Sequence, residues 1–321
     1  MQNRRLGRTD LKIAPLVFGG NVFGWTSDKA RSFELLDRFV GAGFNAVDTA
    51  DVYSAWAPGN KGGESEAIIG DWMKARGNRD RVVVMTKVGS PMGPGKKGLK
   101  ARYIEEAVEA SLRRLKAETI DLYFSHWPDP ETPYEETLGA YRKLLDKGKV
   151  RYVGASNLNA EQLAAALDVA RRHSLPRYEV LQPEYNLYDR GGFDGPLREL
   201  CMAEEIGVIT YFSLAKGFLS GKYRSEADLD KSPRGGGVKA YLNERGRRIL
   251  GALDDVSKRL AAKQAEVALA WIMARAGVTA PIASATTIPQ VDSLIAAASL
   301  KLDAADIKAL DEASAMEAAA K

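Results

Sequence analysis

One stretch of the sequence determines how the rest is interpreted: Phe44-Asn45-Ala46-Val47-Asp48-Thr49-Ala50-Asp51-Val52-Tyr53. It begins as an apolar run suited to a buried strand, and it ends in two acids and a tyrosine. A strand that turns polar at its C-terminal end is typical of an α/β barrel, where catalytic groups lie at those strand ends. Asp48 and Tyr53 are therefore the first candidates for a site, whereas Asp51 is expected to be an ordinary loop acid.

Strand-like and helix-like segments alternate along the chain on both sides of this stretch. Eight β/α units without a break in composition predict parallel strands joined by right-handed helical crossovers. We therefore predict a (β/α)8 TIM barrel that forms a single domain over residues 1–321. A doubly wound open sheet is the alternative, but no Gly-x-Gly-x-x-Gly follows the first strand, as that fold would require. The predicted strands are 15–19, 44–50, 81–88, 120–127, 150–156, 178–183, 207–213 and 279–284, and the predicted helices are 28–42, 64–76, 100–116, 134–147, 159–173, 194–206, 263–276 and 289–299.

Four segments lie outside this alternation. An N-terminal β-hairpin is predicted around the turn Arg8-Thr9-Asp10. After the seventh strand, residues 217–240 are rich in glycine, serine and charge, and a loop this long in a compact domain is usually functional or disordered. An extra helix is predicted over residues 241–262, and a C-terminal helix over residues 303–315.

Composition excludes several classes of protein. The net charge of +4 on 321 residues is mild, and no basic patch is interleaved with aromatic residues, so a nucleic-acid partner is not expected. The single cysteine, Cys201, excludes an internal disulfide, fits a reducing compartment and is expected to be buried filler. No apolar run approaches the ~18 residues of a membrane helix, and the N-terminus is not that of a secretory signal. We expect a cytoplasmic protein.

Two more strand ends supply partners for Asp48 and Tyr53. The third strand ends in Lys87, and the fourth ends in His126, one of two histidines in the chain. A free tyrosine has a pKa near ~10, and a neighbouring lysine is expected to lower it while an aspartate holds the lysine. A histidine can orient a substrate oxygen. The set is suited to protonating an oxygen on which negative charge develops, and one histidine with scattered acids predicts no metal site.

Several motifs occur in order at barrel spacing, and together they resemble the aldo-keto reductase family, including its potassium-channel β-subunit-like branch. The resemblance implies a carbonyl reductase that uses a nicotinamide cofactor, usually NADPH, with NADH as the alternative. It implies that Tyr53 is the general acid, that Lys87 and Asp48 tune it, and that His126 positions the carbonyl. The motifs are Asp48-Thr49-Ala50 with Tyr53, Gly62-Gly63-Glu64-Ser65-Glu66, Thr86-Lys87, Asp121-Leu122-Tyr123 with His126, Val153-Gly154-Ala155-Ser156-Asn157, Gln182-Pro183-Glu184-Tyr185-Asn186, and Ser213-Leu214 with Gly217-Phe218-Leu219-Ser220-Gly221.

The same resemblance implies positions for the cofactor. Tyr211 would stack on the nicotinamide ring, although an aromatic that fills the barrel interior is the alternative. The family often has a lysine or arginine near Thr287, where this chain has hydroxyls; Arg234 and Lys239 of the long loop are candidate substitutes. The remaining positions are Ser156, Asn157 and Gln182 for the carboxamide, Ser213, Leu214, Lys216 and Gly217 for the pyrophosphate, and Ser284, Thr286, Thr287 and Gln290 for the adenosine 2′-phosphate.

Four aromatic residues follow the strands that carry the site: Phe23, Trp25, Trp56 and Trp127. They predict an apolar-walled pocket for a bulky or ring-bearing carbonyl, unless one or two of them only pack the loops. The sequence thus predicts NADPH-dependent reduction of an aldehyde or ketone to an alcohol. The alternative is a nicotinamide-binding regulatory protein, similar to the channel β-subunits, with little turnover. The residues do not indicate an oligomeric state.

Overall fold

A closed barrel of parallel strands lies at the centre of the structure, a computed structural model that describes residues 2–316. In chain order, the strands of this part of the chain are β1 (Arg4–Arg5), β2 (Lys12–Ile13), β3 (Val17–Gly19), β4 (Ala46–Asp48), β5 (Val83–Val88), β6 (Ile120–Ser125), β7 (Val150–Ser156), β8 (Val180–Gln182), β9 (Gly207–Thr210) and β10 (Ala280–Ala283). Strands β3 to β10 each pair in parallel with the next, and β10 closes the ring on β3. The predicted TIM barrel is confirmed, with strands shorter than predicted at several ends.

Helices surround the barrel, and most of them begin where the sequence predicts. Local capping explains several of these starts. Asn159 accepts a hydrogen bond from the Gln162 N–H in a reciprocal capping box, and Asp28 caps the first helix through the Arg31 N–H. The helices are α1 (Lys29–Gly41), α2 (Glu64–Arg76), α3 (Ala101–Leu115), α4 (Tyr134–Asp146), α5 (Ala160–Arg172), α6 (Pro196–Ala203), α7 (Glu244–Leu260), α8 (Gln264–Met273), α9 (Ile288–Ala297) and α10 (Ala304–Ser314). The extra helix (α7) and the C-terminal helix (α10) were both predicted.

The barrel wall separates two apolar cores. On β6, Leu122 and Phe124 belong to the cluster inside the barrel, whereas Tyr123 belongs to the larger cluster between the strands and the helices. Successive side chains of a strand point to opposite faces, which produces this division. The division matters for the site, because neighbouring residues of one strand face different environments.

The N-terminal hairpin closes one end of the barrel. Leu6, Leu11 and Ile13 join the interior cluster. Gly7 has φ +58° and lies so close to the backbone that an added Cβ would stand 2.5 Å from the Gly207 nitrogen. Because the hairpin occupies the N-terminal end of the strands, only their C-terminal ends remain accessible for a site.

The segment after β9 is more ordered than its composition suggests. It contains three short 3-10 helices, Ala215–Ser220, Glu226–Lys231 and Gly235–Tyr241. The Tyr223 hydroxyl lies 2.5 Å from the Ser232 hydroxyl, and this bond ties two parts of the segment together. No helix within residues 2–316 is both long enough and apolar enough to cross a membrane.

Candidate active site

Four predicted residues meet at the C-terminal ends of neighbouring strands. Asp48 is the last residue of β4, Lys87 lies near the end of β5, and His126 directly follows β6. Tyr53 comes from the turn after β4. Asp48 and Lys87 are 1 % and 0 % exposed, so their opposite charges interact away from water, where charges attract more strongly. The structure therefore brings together the acid/base set that the strand ends predict.

The Lys87 ammonium is the centre of this network. Its Nζ donates to Asp48 Oδ2 at 2.7 Å, to the Thr49 carbonyl at 2.7 Å and to the Tyr53 hydroxyl at 2.9 Å. An ammonium has three protons, and all three are used. The other carboxylate oxygen, Asp48 Oδ1, accepts from Gln182 Nε2 at 2.9 Å. Each group is held in place by its neighbours before any ligand binds.

The pKa of Tyr53 differs from the sequence-based expectation. Burial raises the pKa of its phenol well above the ordinary value, and the charge and hydrogen bond of Asp48 raise it further. The prediction that the pKa of Tyr53 lies below its ordinary value is wrong for this structure, because burial and Asp48 outweigh the stabilisation of the phenolate by the Lys87 ammonium. Tyr53 therefore keeps its proton near neutral pH and can release it only to a strongly basic oxygen.

His126 is held as a neutral imidazole. Burial and the nearby Lys87 charge lower its pKa well below the usual value. Its Nδ1 lies 2.9 Å from the Ser90 hydroxyl. A hydroxyl that donates to Nδ1 selects the tautomer with the proton on Nε2, which is then available to donate to a substrate oxygen. Ser90 was not predicted, since a serine shortly after a strand carries no distinctive signal.

The four residues predicted for the nicotinamide lie beside this network. Asn157 has a left-handed backbone with φ +63°, and its Nδ2 donates to the His126 carbonyl at 2.9 Å. The Tyr211 hydroxyl donates to Asn157 Oδ1 at 2.7 Å, and the Ser156 hydroxyl donates to the Gln182 carbonyl at 2.8 Å. Gln182 in turn contacts Asp48. The structure therefore joins all four to the tetrad of Asp48, Tyr53, Lys87 and His126.

The predicted pyrophosphate residues lie in a sharply folded segment after β9. Ala215, Lys216 and Gly217 have φ of +46°, +57° and +101°, and the Ala215 and Gly217 N–H groups donate to the Phe212 and Leu214 carbonyls at 2.7 and 2.8 Å. The Lys216 ammonium lies 5.3 Å above the Phe212 ring. The Ser213 hydroxyl is buried and donates to the Thr210 carbonyl at 3.0 Å, so only its backbone remains available. Leu214 directly precedes these turns and is partly buried.

The residues predicted for the adenosine end gather at the start of α9. Thr287 is the N-cap residue of this helix. Gln290 Oε1 accepts from the Thr286 N–H at 2.8 Å, and the Ser284 hydroxyl donates to Asn21 Oδ1 at 2.6 Å. A helix N-terminus carries partial positive charge and favours anions. The structure therefore brings the four predicted residues together at a helix start, where hydroxyl groups are present and none of the four is a cation.

One arginine of the long loop reaches into the site. The Arg234 guanidinium lies 5.5 Å above the Trp25 ring, and its charge lowers the pKa of Tyr53, against the effect of burial. Its Nη2 is buried and has no hydrogen-bond partner within residues 2–316. A buried N–H donor without a partner is costly, so this arginine is suited to an anionic ligand. Lys239 instead pairs with Glu226 at 3.0 Å.

Three of the four predicted aromatic residues border the tetrad. Trp56 contacts both Tyr53 and Trp25 edge-on, with ring centroids 6.0 and 5.8 Å away. Trp127 stacks on His126, and both Trp56 and Trp127 are about half exposed. Phe23 differs from the prediction of a pocket residue, because its ring is fully buried against Phe18. It supports the core beneath the site and does not face a substrate.

Asp51 also differs from the prediction of an ordinary loop acid. It follows β4 in a turn, but it is only 2 % exposed. Glu66, in the first turn of the predicted helix 64–76, is also buried and bonds to Thr86 and Arg114. Cys201 is buried, as predicted. Within residues 2–316, no three or more His, Cys, Asp or Glu side chains are grouped so that they could hold a metal ion.

Comparisons with known proteins agree with the chemistry that this geometry suggests. The profile of the Aldo/keto reductase family matches residues 15–315. An uncharacterized oxidoreductase of Bacillus subtilis, YrpG, is 33% identical over 97% of this chain and 95% of its own length. A probable voltage-gated potassium channel subunit beta of Oryza sativa is 33% identical over 91% of this chain and 89% of its own. Norsolorinic acid reductase of Aspergillus flavus is 30% identical over 94% of this chain and 78% of its own.

Proposed function

Since this chain belongs to the aldo/keto reductase family of oxidoreductases, we propose that it reduces an aldehyde or ketone to an alcohol with NADPH. The observation that carries the proposal is the Lys87 ammonium, whose three protons bind Asp48, the Thr49 carbonyl and Tyr53. Such a buried, saturated network has no evident use in stability, because a buried ion pair adds little over apolar packing. It suits the positioning of one phenolic proton.

The proposed chemistry assigns one task to each residue of the tetrad. The neutral His126 donates from Nε2 to the carbonyl oxygen and orients the substrate. As negative charge develops on that oxygen, Tyr53 donates its proton, since an alkoxide is a stronger base than a phenolate. Lys87 then stabilises the phenolate through the hydrogen bond that it already makes. Asp48 fixes the position of the ammonium, and the nicotinamide supplies the hydride when it is bound.

The proposed cofactor site uses residues that surround the tetrad. Ser156, Asn157 and Gln182 would hold the carboxamide, and the Tyr211 ring would cover one face of the nicotinamide. The unpaired Nη2 of Arg234 supports a place for the pyrophosphate, which would also contact Ser213, Leu214, Lys216 and Gly217. At the adenosine end, the 2′-phosphate would bind at the α9 N-terminus. This end consists of Ser284, Thr286, Thr287 and Gln290, and NADH is the alternative cofactor.

The proposed substrate is a bulky or ring-bearing carbonyl compound. Trp56 and Trp127 support this, because half-exposed indoles beside a catalytic group provide an apolar wall. Trp25, which is partly buried, extends that wall through its edge-on contact with Trp56. Arg234 is a single cation, so the pocket still lacks an arginine pair for a carboxylate substrate. We further propose that the protein acts as one domain in the cytoplasm.

A substrate panel tests the function. Purified protein would be mixed with NADPH, and loss of its absorbance followed with aldehydes of increasing ring size. We expect turnover with activated aromatic aldehydes and a higher kcat/KM for ring-bearing than for short aliphatic substrates. NADH under the same conditions measures cofactor preference. Cofactor binding without turnover on any carbonyl would contradict the proposal.

A regulatory role is the second candidate, and it is favoured by the similarity to the Oryza sativa channel subunit. In that case the chain would bind the nicotinamide cofactor tightly, turn over slowly and form a stable complex with another protein. The complete tetrad argues for an enzyme. Slow cofactor release together with recovery of a stoichiometric partner would favour the regulatory role.

A further inference from the structure

A second polar cluster lies behind Lys87, on the outer side of the barrel wall. Thr86 is the neighbour of Lys87 on β5 but faces the helices, and its hydroxyl donates to Glu66 Oε1 at 2.6 Å. The other oxygen of Glu66 accepts from Arg114 Nε at 2.6 Å. The Glu66 side chain is 0 % exposed. Glu66 is thus a buried carboxylate whose charge and hydrogen bonds are satisfied.

Asp51 lies in the same layer but lacks such partners. Its backbone N–H donates to the Lys87 carbonyl at 3.3 Å, which fixes it beside the catalytic strand. Neither of its carboxyl oxygens has a hydrogen-bond partner within residues 2–316. The Val52 N–H lies near enough to favour the carboxylate, but without the geometry of a hydrogen bond. The Tyr123 hydroxyl is likewise buried without a partner in this part of the chain.

The charges of the two clusters explain the state of Asp51. Lys87 neutralises Asp48, and Arg114 neutralises Glu66, so an ionised Asp51 would be one buried negative charge in excess. Burial and, to a smaller extent, the Glu66 charge raise the pKa of the Asp51 carboxyl to about 8, against the opposite effects of Arg114 and Lys87. Asp51 is therefore a neutral acid near neutral pH.

We propose that Asp51 is a positioning residue that controls the charge behind the Lys87–Tyr53 pair, a role that rests on the proposed function. In its neutral form it leaves the ammonium balanced by Asp48 alone. When its proton leaves to solvent, the new carboxylate stabilises the Lys87 ammonium and weakens Tyr53 as an acid. The titratable groups that face Asp51 are Glu66 on α2, Tyr103 and Arg114 on α3, Lys87 on β5, Tyr123 on β6 and Tyr141 on α4.

The pH dependence of protein stability reports the protonation state of Asp51 and requires no measurement of activity. The pKa of Asp51 is higher in the folded than in the unfolded protein, so between about pH 4 and about pH 8 the folded state holds a proton that the unfolded state has lost. The stability that the Asp51 proton contributes is fully present below about pH 4, and it is lost as the pH rises to about pH 8. Asp51→Asn imitates the neutral acid and cannot ionise, so it lacks this loss.

The experiment compares the Tm of wild type and Asp51→Asn from about pH 5 to about pH 9. We expect the Tm of the variant, relative to wild type, to increase with pH up to about pH 8 and then to level off. Asp146→Asn, which removes an exposed carboxyl on α4, is the control and should differ from wild type by a constant amount. A constant offset for Asp51→Asn as well would overturn the neutral-carboxyl assignment. The infrared band of a protonated carboxyl, present in wild type and lost in the variant, is a second measurement with the same meaning.

The pH profile of turnover tests the positioning role. Without the Asp51 charge, Tyr53 stays more acidic, so the alkaline limb of kcat for carbonyl reduction should move to lower pH by about half a unit or more. An unchanged limb in Asp51→Asn would exclude the role, even where the Tm data support a neutral carboxyl. If wild type shows no turnover, the proposed function fails, while the Tm comparison still reports on Asp51.

Discussion

The two ends of the candidate cofactor site are built differently. At the tetrad, Asp48 and Lys87 are buried, and every Lys87 proton is already bound to a protein oxygen. At the adenosine end, Thr287 and Gln290 are exposed at the start of α9, and their polar groups bond mainly to one another. The first region is fixed by the strands of the barrel; the second is carried by a loop and a helix end.

This difference indicates where specificity can vary. A group that must donate a proton at one point benefits from a preorganised environment, since no reorganisation is then needed during the reaction. A phosphate at the surface can be held by many arrangements of hydroxyls, N–H groups and cations. We therefore expect substitutions at the tetrad to affect turnover strongly and substitutions at the adenosine end to change cofactor affinity modestly.

The largest effect is expected for Lys87→Met. The variant removes the cation from Asp48 and Tyr53, so kcat should fall by about a thousandfold. It also leaves Asp48 buried without its partner, and breaking a buried pair costs about 3 kcal/mol or more of unfolding free energy. Steady-state kinetics and urea unfolding measure the two losses.

A double variant separates the two consequences. In Lys87→Met with Asp48→Asn, no buried charge is left unpaired, so most of the stability should return while turnover stays low. Recovery of turnover in the double variant would show that the ammonium is not needed for the reaction. Such a result would mean that the tetrad does not control turnover more strongly than the adenosine end does.

A smaller effect is expected for Ser90→Ala. Loss of the hydroxyl leaves His126 Nδ1 without its 2.9 Å partner, so the tautomer and orientation of the ring are no longer fixed. We expect kcat/KM to fall about tenfold, with the dissociation constant of NADPH unchanged. Thr119→Val, which removes a hydroxyl that donates to the Gly148 carbonyl just before β6, at the opposite end of the barrel, is the control. A parallel loss of NADPH affinity would place Ser90 in cofactor binding.

Arg234→Met tests the link between the two regions. The long loop brings this partly buried guanidinium to Trp25, and we expect the dissociation constant of NADPH to rise about tenfold, as for the loss of a charge-assisted hydrogen bond. At saturating cofactor, kcat should remain within about twofold. Arg224→Met is the matched control, because Arg224 pairs with Asp254 on the outside of the molecule. Equal affinities for wild type and Arg234→Met would mean that this arginine does not contact the cofactor.

The smallest effect is expected at the adenosine end. Thr286→Lys adds a cation beside the α9 N-terminus and leaves the Thr287 cap in place. An exposed charge pair contributes less than about 1 kcal/mol, so affinity for NADPH should increase only about threefold, and affinity for NADH should not change. Thr286→Met provides a side chain of similar length without charge. An equal gain for NADH would contradict a 2′-phosphate site at this position.

Sequence reasoning predicted the barrel because its signals are periodic and repeated. Each strand is an apolar run, and the helices between them carry amphipathic patterns, so errors at single boundaries such as 44–50 against Ala46–Asp48 do not alter the topology. The tetrad was predicted for a similar reason. Polar residues at the ends of apolar strands stand out, and the barrel brings those ends together.

The remaining features depend on contacts that no local pattern encodes. Asp51 resembles any loop acid in sequence, and its burial follows from the packing of α2 and α3 against β5. The raised pKa of Tyr53 depends on the burial of its phenol and on the neighbouring Asp48 carboxylate. Arg234 lies some 180 residues after Tyr53, and its approach to Trp25 depends on how the 3-10 helices of the long loop pack.

The central claim is that Tyr53 donates the proton in a site that is already formed. Tyr53→Phe keeps the ring and removes only the hydroxyl, so NADPH should bind as in wild type while single-turnover reduction of an activated aldehyde falls by at least about a hundredfold. Tyr152→Phe, at the opposite end of the barrel near the hairpin, should behave as wild type. The account is supported if binding persists and reduction is lost in Tyr53→Phe alone; it is contradicted if that variant reduces the aldehyde at the wild-type rate.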